Sequence, residues 1–220
     1  MNTKQTIAII GATGNMGSAL SRSLAKGNYR LLLKANNSNA LNDLVLGIKN
    51  EHSTADVEAA ECATDAGWEA DIIILAVPFA AEAAIAEKIK EVANQKIVVS
   101  ISNPLNERFD GLSTAPGTSS AEILQAQLPN SKVVKAFNTS FAANFSASVF
   151  NGIKTDAFIA GDDEDALKIV SELVETVGFN PVIAGKLSVS NTLEQMQLLL
   201  IQLGMKYNYN WHAGWKILTN

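Results

Sequence analysis

A chain that opens on a short β-branched apolar run, breaks at glycines three residues apart and then takes up helical periodicity has few folds open to it. Thr6-Ile7-Ala8-Ile9-Ile10 reads as a strand and Gly11-Ala12-Thr13-Gly14-Asn15-Met16-Gly17 as a turn; Met16, Ala19, Leu20 and Leu24 then mark one face of a helix. Gly11 and Gly14 permit a tight bend and close backbone approach to a ligand, Gly17 lets the helix pack near the strand, and the N–H groups at the helix start attract a diphosphate. The spacing is Gly-x-x-Gly-x-x-Gly rather than Gly-x-Gly-x-x-Gly. Three glycines alone describe any tight turn; the strand before them and the helix after them point to a dinucleotide.

Gly27-Asn28 stops the first helix, and Tyr29 to Leu33 reads as a second strand. About 20 residues past the glycines, a site for a free ribose 2′-hydroxyl usually carries Asp or Glu. Here the chain reads Lys34-Ala35-Asn36-Asn37, a cation and neutral donors, which favours a 2′-phosphate and therefore NADP. Leu41, Leu44, Val45 and Ile48 recur at helical spacing. A third strand within Asp56 to Cys62 and a short helix over Thr64 to Glu69 follow. Asp71 to Val77 is a continuous apolar run closed by Pro78, as expected of a central parallel strand whose carboxyl end borders a cofactor crevice. The next helix turns Ala81, Ile85, Ile89 and Val92 inward and Glu82, Glu87, Lys88, Lys90 and Glu91 outward.

Lys96 to Ile101 is a fifth strand, ending in Ser102-Asn103-Pro104. A long Gly/Ser/Thr/Pro loop runs to Ser119, where Ser-Ser-Ala-Glu signals a capping box. Val133 to Phe137 is a sixth strand, and Phe141, Phe145 and Phe150 read as core. Ala157 to Gly161 and Pro181 to Gly185 are further strands, with a helix from Asp162–Asp165 to Val177 between them. Acids in that first turn suit the helix dipole, so no metal is expected there. Asn191 and Glu194 cap a last helix to about Met205. Strands alternating with helices give a Rossmann-type doubly wound parallel α/β sheet over 1–185, with a small C-terminal helical addition over 186–220 packed on it. The aromatic tail of Tyr207, Tyr209, Trp211, His212 and Trp215 is a candidate to pack on the core, line a pocket or, with the last helix, join two copies as a homodimer.

A net charge of −5 without a basic tract argues against a nucleic-acid partner. Apolar runs such as Ile72–Val77 and Leu198–Leu203 fall far short of a membrane span. The single cysteine, Cys62, allows no internal disulfide, reads as a small buried residue, and suits a reducing compartment; a cytoplasmic protein is expected.

Several separated stretches resemble one family: Gly11 to Gly17, Ala76-Val77-Pro78, Ser102-Asn103-Pro104-Leu105, Ser120-Ala121-Glu122, Lys135-Ala136-Phe137-Asn138-Thr139, Gly161-Asp162-Asp163 and Gly185-Lys186-Leu187-Ser188. In order and spacing they resemble the NADPH-dependent coenzyme F-420 reductases and, similarly, the oxidoreductase domain of the STEAP metalloreductases. That resemblance implies hydride transfer between NADP(H) and a deazaflavin or flavin ring, with coenzyme F-420, FMN or FAD as second substrate. It also implies that Thr13, Gly14, Asn15 and Met16 hold the diphosphate, residues 34–37 the adenosine phosphate, Val77 and Pro78 the nicotinamide, and Asn138 the face near the second ring. Family members tend to show Ser-Arg-Arg where this chain has Ala35-Asn36-Asn37; the F-420 enzymes tend to have His where Asn138 stands, as do the metalloreductases.

Ring-to-ring hydride transfer needs positioning more than proton-handling side chains. This suits a chain with two histidines, His52 and His212, both expected at the surface. The Tyr-x-x-x-Lys pair of short-chain dehydrogenases is missing, since Leu33, Trp211 and Ala213 stand four residues after the tyrosines. A small imino-acid or carbonyl reductase and a non-catalytic NADP-binding sensor stay open as alternatives.

Overall fold

The computed structural model describes residues 4–219. The opening apolar run forms β1 (Gln5–Ile10), and the chain then alternates through α1 (Asn15–Leu24), β2 (Tyr29–Lys34), α2 (Ser38–Glu51), β3 (Asp56–Ala59), α3 (Ala63–Glu69), β4 (Ile72–Leu75), α4 (Phe79–Ile89), β5 (Ile97–Ser100), α5 (Ser120–Gln127) and β6 (Lys132–Lys135). These six strands pair in parallel in the order β3-β2-β1-β4-β5-β6, so the strand order reverses between β1 and β4. Ligands bind at such a reversal, outside the carboxyl ends of the strands.

The remaining elements are a hairpin of β7 (Val149–Phe150) and β8 (Ile153–Lys154), then β9 (Asp156–Gly161), α6 (Glu164–Val177), β10 (Asn180–Gly185) and α7 (Ser190–Tyr207). β9 pairs antiparallel to β6 and parallel to β10, so the sheet is mostly parallel with two strands reversed at one edge. The cause is the connection: no crossover helix lies between β6 and β9, whereas α6 supplies one between β9 and β10.

Alternate strand residues feed two cores. Ile7, Ile9, Ile72 and Ile74 pack with Leu20, Leu44, Ile48, Val170 and Val174 of α1, α2 and α6. Ala8, Ile10, Ile73 and Leu75 pack with Ala66, Ala86, Ile89 and Leu124 of α3, α4 and α5 on the other face. Phe141 and Phe145 are buried and Phe150 is half-buried. Among the described residues, no helix is long and apolar enough to cross a membrane, and no three His, Cys, Asp or Glu are grouped to hold a metal.

Four local expectations are corrected. Glu82 does not face outward but is 3% exposed, because it shares the face of Ala86 and Ile89 at i+4 and i+7. Asn191 and Glu194 do not cap α7: the helix begins at Ser190 straight from a 3-10 turn, the Asn191 amide donates to the Thr118 carbonyl (3.0 Å), and Glu194 is fully buried. The sixth strand stops at Lys135, since Phe137 turns left-handed (φ +62°). Cys62 is half-buried, and its Sγ caps α3 by accepting from the Asp65 N–H (3.3 Å). The Ser119–Glu122 capping box forms as expected.

The segment after α7 folds back across β9. The Asn144 amide donates to the Ala213 carbonyl (2.7 Å), the Asp156 N–H to the Trp215 carbonyl (2.9 Å), and the Asp156 carboxylate accepts from Lys216 Nζ (2.7 Å) and the Ile217 N–H (2.7 Å). This strap carries Trp211 to the carboxyl end of the sheet, edge-on to Phe141 with ring centroids 5.4 Å apart.

Candidate active site

The glycine turn does different work at each position. Gly11 is left-handed (φ +93°), and a Cβ there would lie 2.2 Å from the Ala76 carbonyl oxygen; one on Gly17 would lie 2.2 Å from the Gly11 oxygen. Both glycines are demanded by the fold itself. Gly14 is not: its φ is −69°, and an added Cβ would clear its nearest neighbour by 3.4 Å. The side chain missing at Gly14 instead opens the floor of the crevice in front of α1, a space that any larger residue would fill.

Backbone hydrogen bonds sort the amides. Those of Gly11 and Ala12 donate to the Lys34 carbonyl (2.8 and 3.0 Å), and that of Gly14 to the Gly11 carbonyl (3.0 Å). The N–H groups of Thr13, Asn15 and Met16 have no protein acceptor among the described residues, and they sit at the positive end of the α1 dipole. Two or three free amides at a helix N-terminus are what a diphosphate needs. Ala12 is fully buried in the core and does not line the crevice.

From this turn a crevice of about 740 Å³ runs between the β2 end and the start of α4. Gly11, Thr13 and Gly14 form its floor, Lys34, Ala35 and Asn36 one wall, and Ala76, Val77 and Pro78 the other. Lys34 Nζ donates to the Glu61 carbonyl (2.6 Å) at the rim, and Cys62 and Lys88 also line it. Asn37 is occupied in capping α2, its Oδ1 accepting from the Ala40 N–H (3.1 Å).

A second cavity, of about 300 Å³, opens on the other side of the turn from Asn15 and Met16. Its wall includes Asn103 and Asn138, which hold each other: the Asn103 amide donates to the Asn138 carbonyl (2.9 Å) and the Asn138 amide to Asn103 Oδ1 (2.9 Å). The left-handed turn at Phe137 swings Asn138 into this position, at a strain of roughly 1–2 kcal/mol that the buried Phe137 ring offsets by packing on Phe145. Asn138 Oδ1 is buried without a partner, as is Gln197 Oε1 from α7. Buried acceptors left open in this way await a donor. Ile201 and Trp211 add apolar surface suited to a flat ring.

The structure therefore gathers Thr13, Gly14, Lys34, Ala35, Asn36, Ala76, Val77 and Pro78 about one cavity, and Asn15, Met16, Asn103 and Asn138 about the next. Sequence reasoning missed Gln197 and Ile201, whereas Trp211 takes the pocket-lining place that was one of three left open for the aromatic tail. The i, i+4, i+7 spacing of Ser190, Glu194 and Gln197, which sets all three on one face of the helix, was the available signal.

A parallel sheet whose first turn leaves amides free at a helix start, with a long crevice on one side and a ring-sized cavity on the other, defines a Rossmann-type dinucleotide-binding protein. Residues 6–104 match the family model described as "NADP oxidoreductase coenzyme F420-dependent". Over 209 residues the chain is 33% identical to the F420-dependent NADP reductase of Methanocaldococcus jannaschii, covering 91% of this chain and 93% of that protein. Over 107 residues it is 35% identical to the rat metalloreductase STEAP3, spanning 48% of this chain and 21% of that one. Its fold is similar, with a TM-score of 0.80 at 24% identity, to that of a protein from Arthrobacter sp. FB24 provisionally titled an F420-dependent NADP reductase, covering 97% of this chain and 99% of that one. The chain belongs to the F420-dependent NADP oxidoreductase family.

Proposed function

We propose that this protein transfers a hydride between NADP(H) and the ring of a deazaflavin, coenzyme F-420, with FMN or FAD as poorer acceptors. The observation that carries the reading is Gly14, the one turn glycine whose missing Cβ serves open space rather than the fold. The amides of Thr13, Asn15 and Met16 hold the diphosphate, and Lys34 with Ala35 and Asn36 receives the adenosine 2′-phosphate. Ala76, Val77 and Pro78 close the far wall, with Val77 and Pro78 toward the nicotinamide, while Asn103 and Asn138 stand at the face where the second ring meets it.

The bound cofactor supplies the hydride. The chain's own contribution would be to orient and to keep water out: Asn138 Oδ1 and Gln197 Oε1, both without a protein partner, could accept hydrogen bonds from amide or ring N–H groups, and Met16, Ile201 and Trp211 would offer the rings apolar surface. No side chain of this cavity is a titrating acid or base, as fits a reaction in which positioning is the main task. Lys34 supports NADP over NAD by its charge at the crevice rim.

The exposed Leu199, Met205 and Tyr207 of α7 support a homodimer through this helix and the tail, which sedimentation would reveal. A cytoplasmic location follows the reducing compartment in which NADPH is abundant. Titration of the protein with NADPH and oxidised F-420 under argon tests the central reading: a long-wavelength charge-transfer band is expected, and its absence with both ligands bound would show that the rings do not stack.

A further inference from the structure

Beneath the second cavity lies a sealed charge. Lys135 ends β6 and is 0% exposed, a costly place for an ammonium unless each of its protons is taken. All three are: Nζ donates to the Ser102 carbonyl, to Ser120 Oγ (2.8 Å) and to Glu194 Oε1 (2.7 Å). Glu194, also 0% exposed, accepts in addition from the Ser120 N–H (3.0 Å) and Oγ (2.7 Å). One ammonium thus ties the chain just beyond β5, the end of β6, the start of α5 and the second turn of α7.

Stability is weak ground for keeping such an arrangement, because apolar residues of like volume in place of a buried ion pair are often neutral or stabilising. Its attachments point elsewhere. Ser102 is followed directly by Asn103, and Asn138 stands three residues beyond Lys135. These two asparagines, locked by their reciprocal hydrogen bonds, form the polar wall of the second cavity. Lys135 reaches that wall by two routes, across the sheet through the Ser102 carbonyl and along its own strand through the Phe137 turn.

We propose that Lys135 is a positioning residue: by holding the Ser102 carbonyl it sets Asn103 against Asn138 and so shapes the cavity in which the nicotinamide end meets the acceptor ring. Glu194 serves this role by balancing the charge, and its attachment to α7 carries Gln197, one turn further on, to the same cavity. This proposal rests on the hydride-transfer reading for its kinetic effect but not for its structural one.

The test is the double variant Lys135→Met, Glu194→Gln, assayed at pH 6, which removes both charges together and keeps their volume while the neighbouring buried Glu82 holds its proton, so no lone charge is left buried. The first crevice is untouched, and NADPH affinity should stay within about threefold of wild type. Turnover with F-420 should fall roughly tenfold or more through misplacement of the rings. The side-chain amide protons of Asn138, followed by NMR in deuterium oxide, should exchange roughly tenfold faster than in the wild type. Wild-type exchange and turnover in the variant overturn the proposal. Equal losses of NADPH affinity and turnover also overturn it, since they mark a general structural role. Should the variant not fold, the wild type decides: Asn138 amide protons exchanging as fast as those of free asparagine refute a locked pair. A wild-type protein that reduces no acceptor yet shows the exchange difference sinks the hydride-transfer reading and leaves the positioning role standing.

Discussion

Glu82 offers a stability test worked directly from the structure. It lies on α4, is 3% exposed, and has Oε1 without a hydrogen-bond partner. Facing it are the Lys135 ammonium from β6, the Glu194 carboxylate from α7, and the hydroxyls of Ser100 and Ser102 at the end of β5. Burial pushes its pKa up from 4.5 to about 7, against the pull of Lys135. The folded chain therefore keeps a proton between pH 4.5 and 7 that the unfolded chain has released. Stability contributed by this group is whole below that window and is lost as pH rises through it. At about 1.4 kcal/mol per pH unit, the loss is about 3 kcal/mol by pH 8. Glu82→Gln removes the titration and keeps the shape. In urea unfolding the variant should match the wild type at pH 4.5 and exceed it by about 3 kcal/mol at pH 8, a midpoint difference of ~1.5 M for a slope of roughly 2 kcal/mol per molar. Parallel stability profiles for the two proteins, or a variant less stable at pH 8, would refute the argument.

Substitution within the crevices gives sharper functional outcomes. Gly14→Val should lower NADPH affinity roughly 100-fold, or about 3 kcal/mol, with an unchanged circular dichroism spectrum; wild-type affinity by fluorescence titration would refute the turn assignment. Lys34→Glu should shift the NADPH/NADH ratio of kcat/KM toward NADH by roughly tenfold, about 1.4 kcal/mol. An unchanged ratio removes Lys34 from the phosphate site. Asn138→Leu should reduce kcat by roughly tenfold or more while leaving the NADPH Kd within about threefold, and wild-type turnover would show that Asn138 stands away from the reacting rings.

The strands and the diphosphate turn were legible because their signals are local: β-branched runs of four to six residues, glycines fixed by the chain's own close approaches, and helices with one apolar face. The two cavities were legible only in part. Lys34 to Asn36 and Ala76 to Pro78 lie at strand ends, where the fold rule places a site. Gln197 and Trp211 arrive from the last helix and the strap behind it, and no local pattern announces where a C-terminal segment will dock. The buried cluster was misread because charges on a helix are assigned to water by default. Glu82 shared the spacing of Ala86 and Ile89, so periodicity applied without that assumption would have turned it inward. Glu194 could not be read so: its partner Lys135 is 59 residues away on a neighbouring strand, and the pairing exists only once α7 lies over α5.

The central claim is that the two cavities bring a nicotinamide and an acceptor ring together for hydride transfer. Anaerobic mixing of the purified protein with NADPH and, in separate runs, with oxidised coenzyme F-420, FMN and FAD, following the absorbance of both partners, tests it most directly. The account predicts NADPH oxidation equal in amount to acceptor reduced, with F-420 giving the highest kcat/KM. Tight NADPH binding with no turnover of any of the three would contradict it.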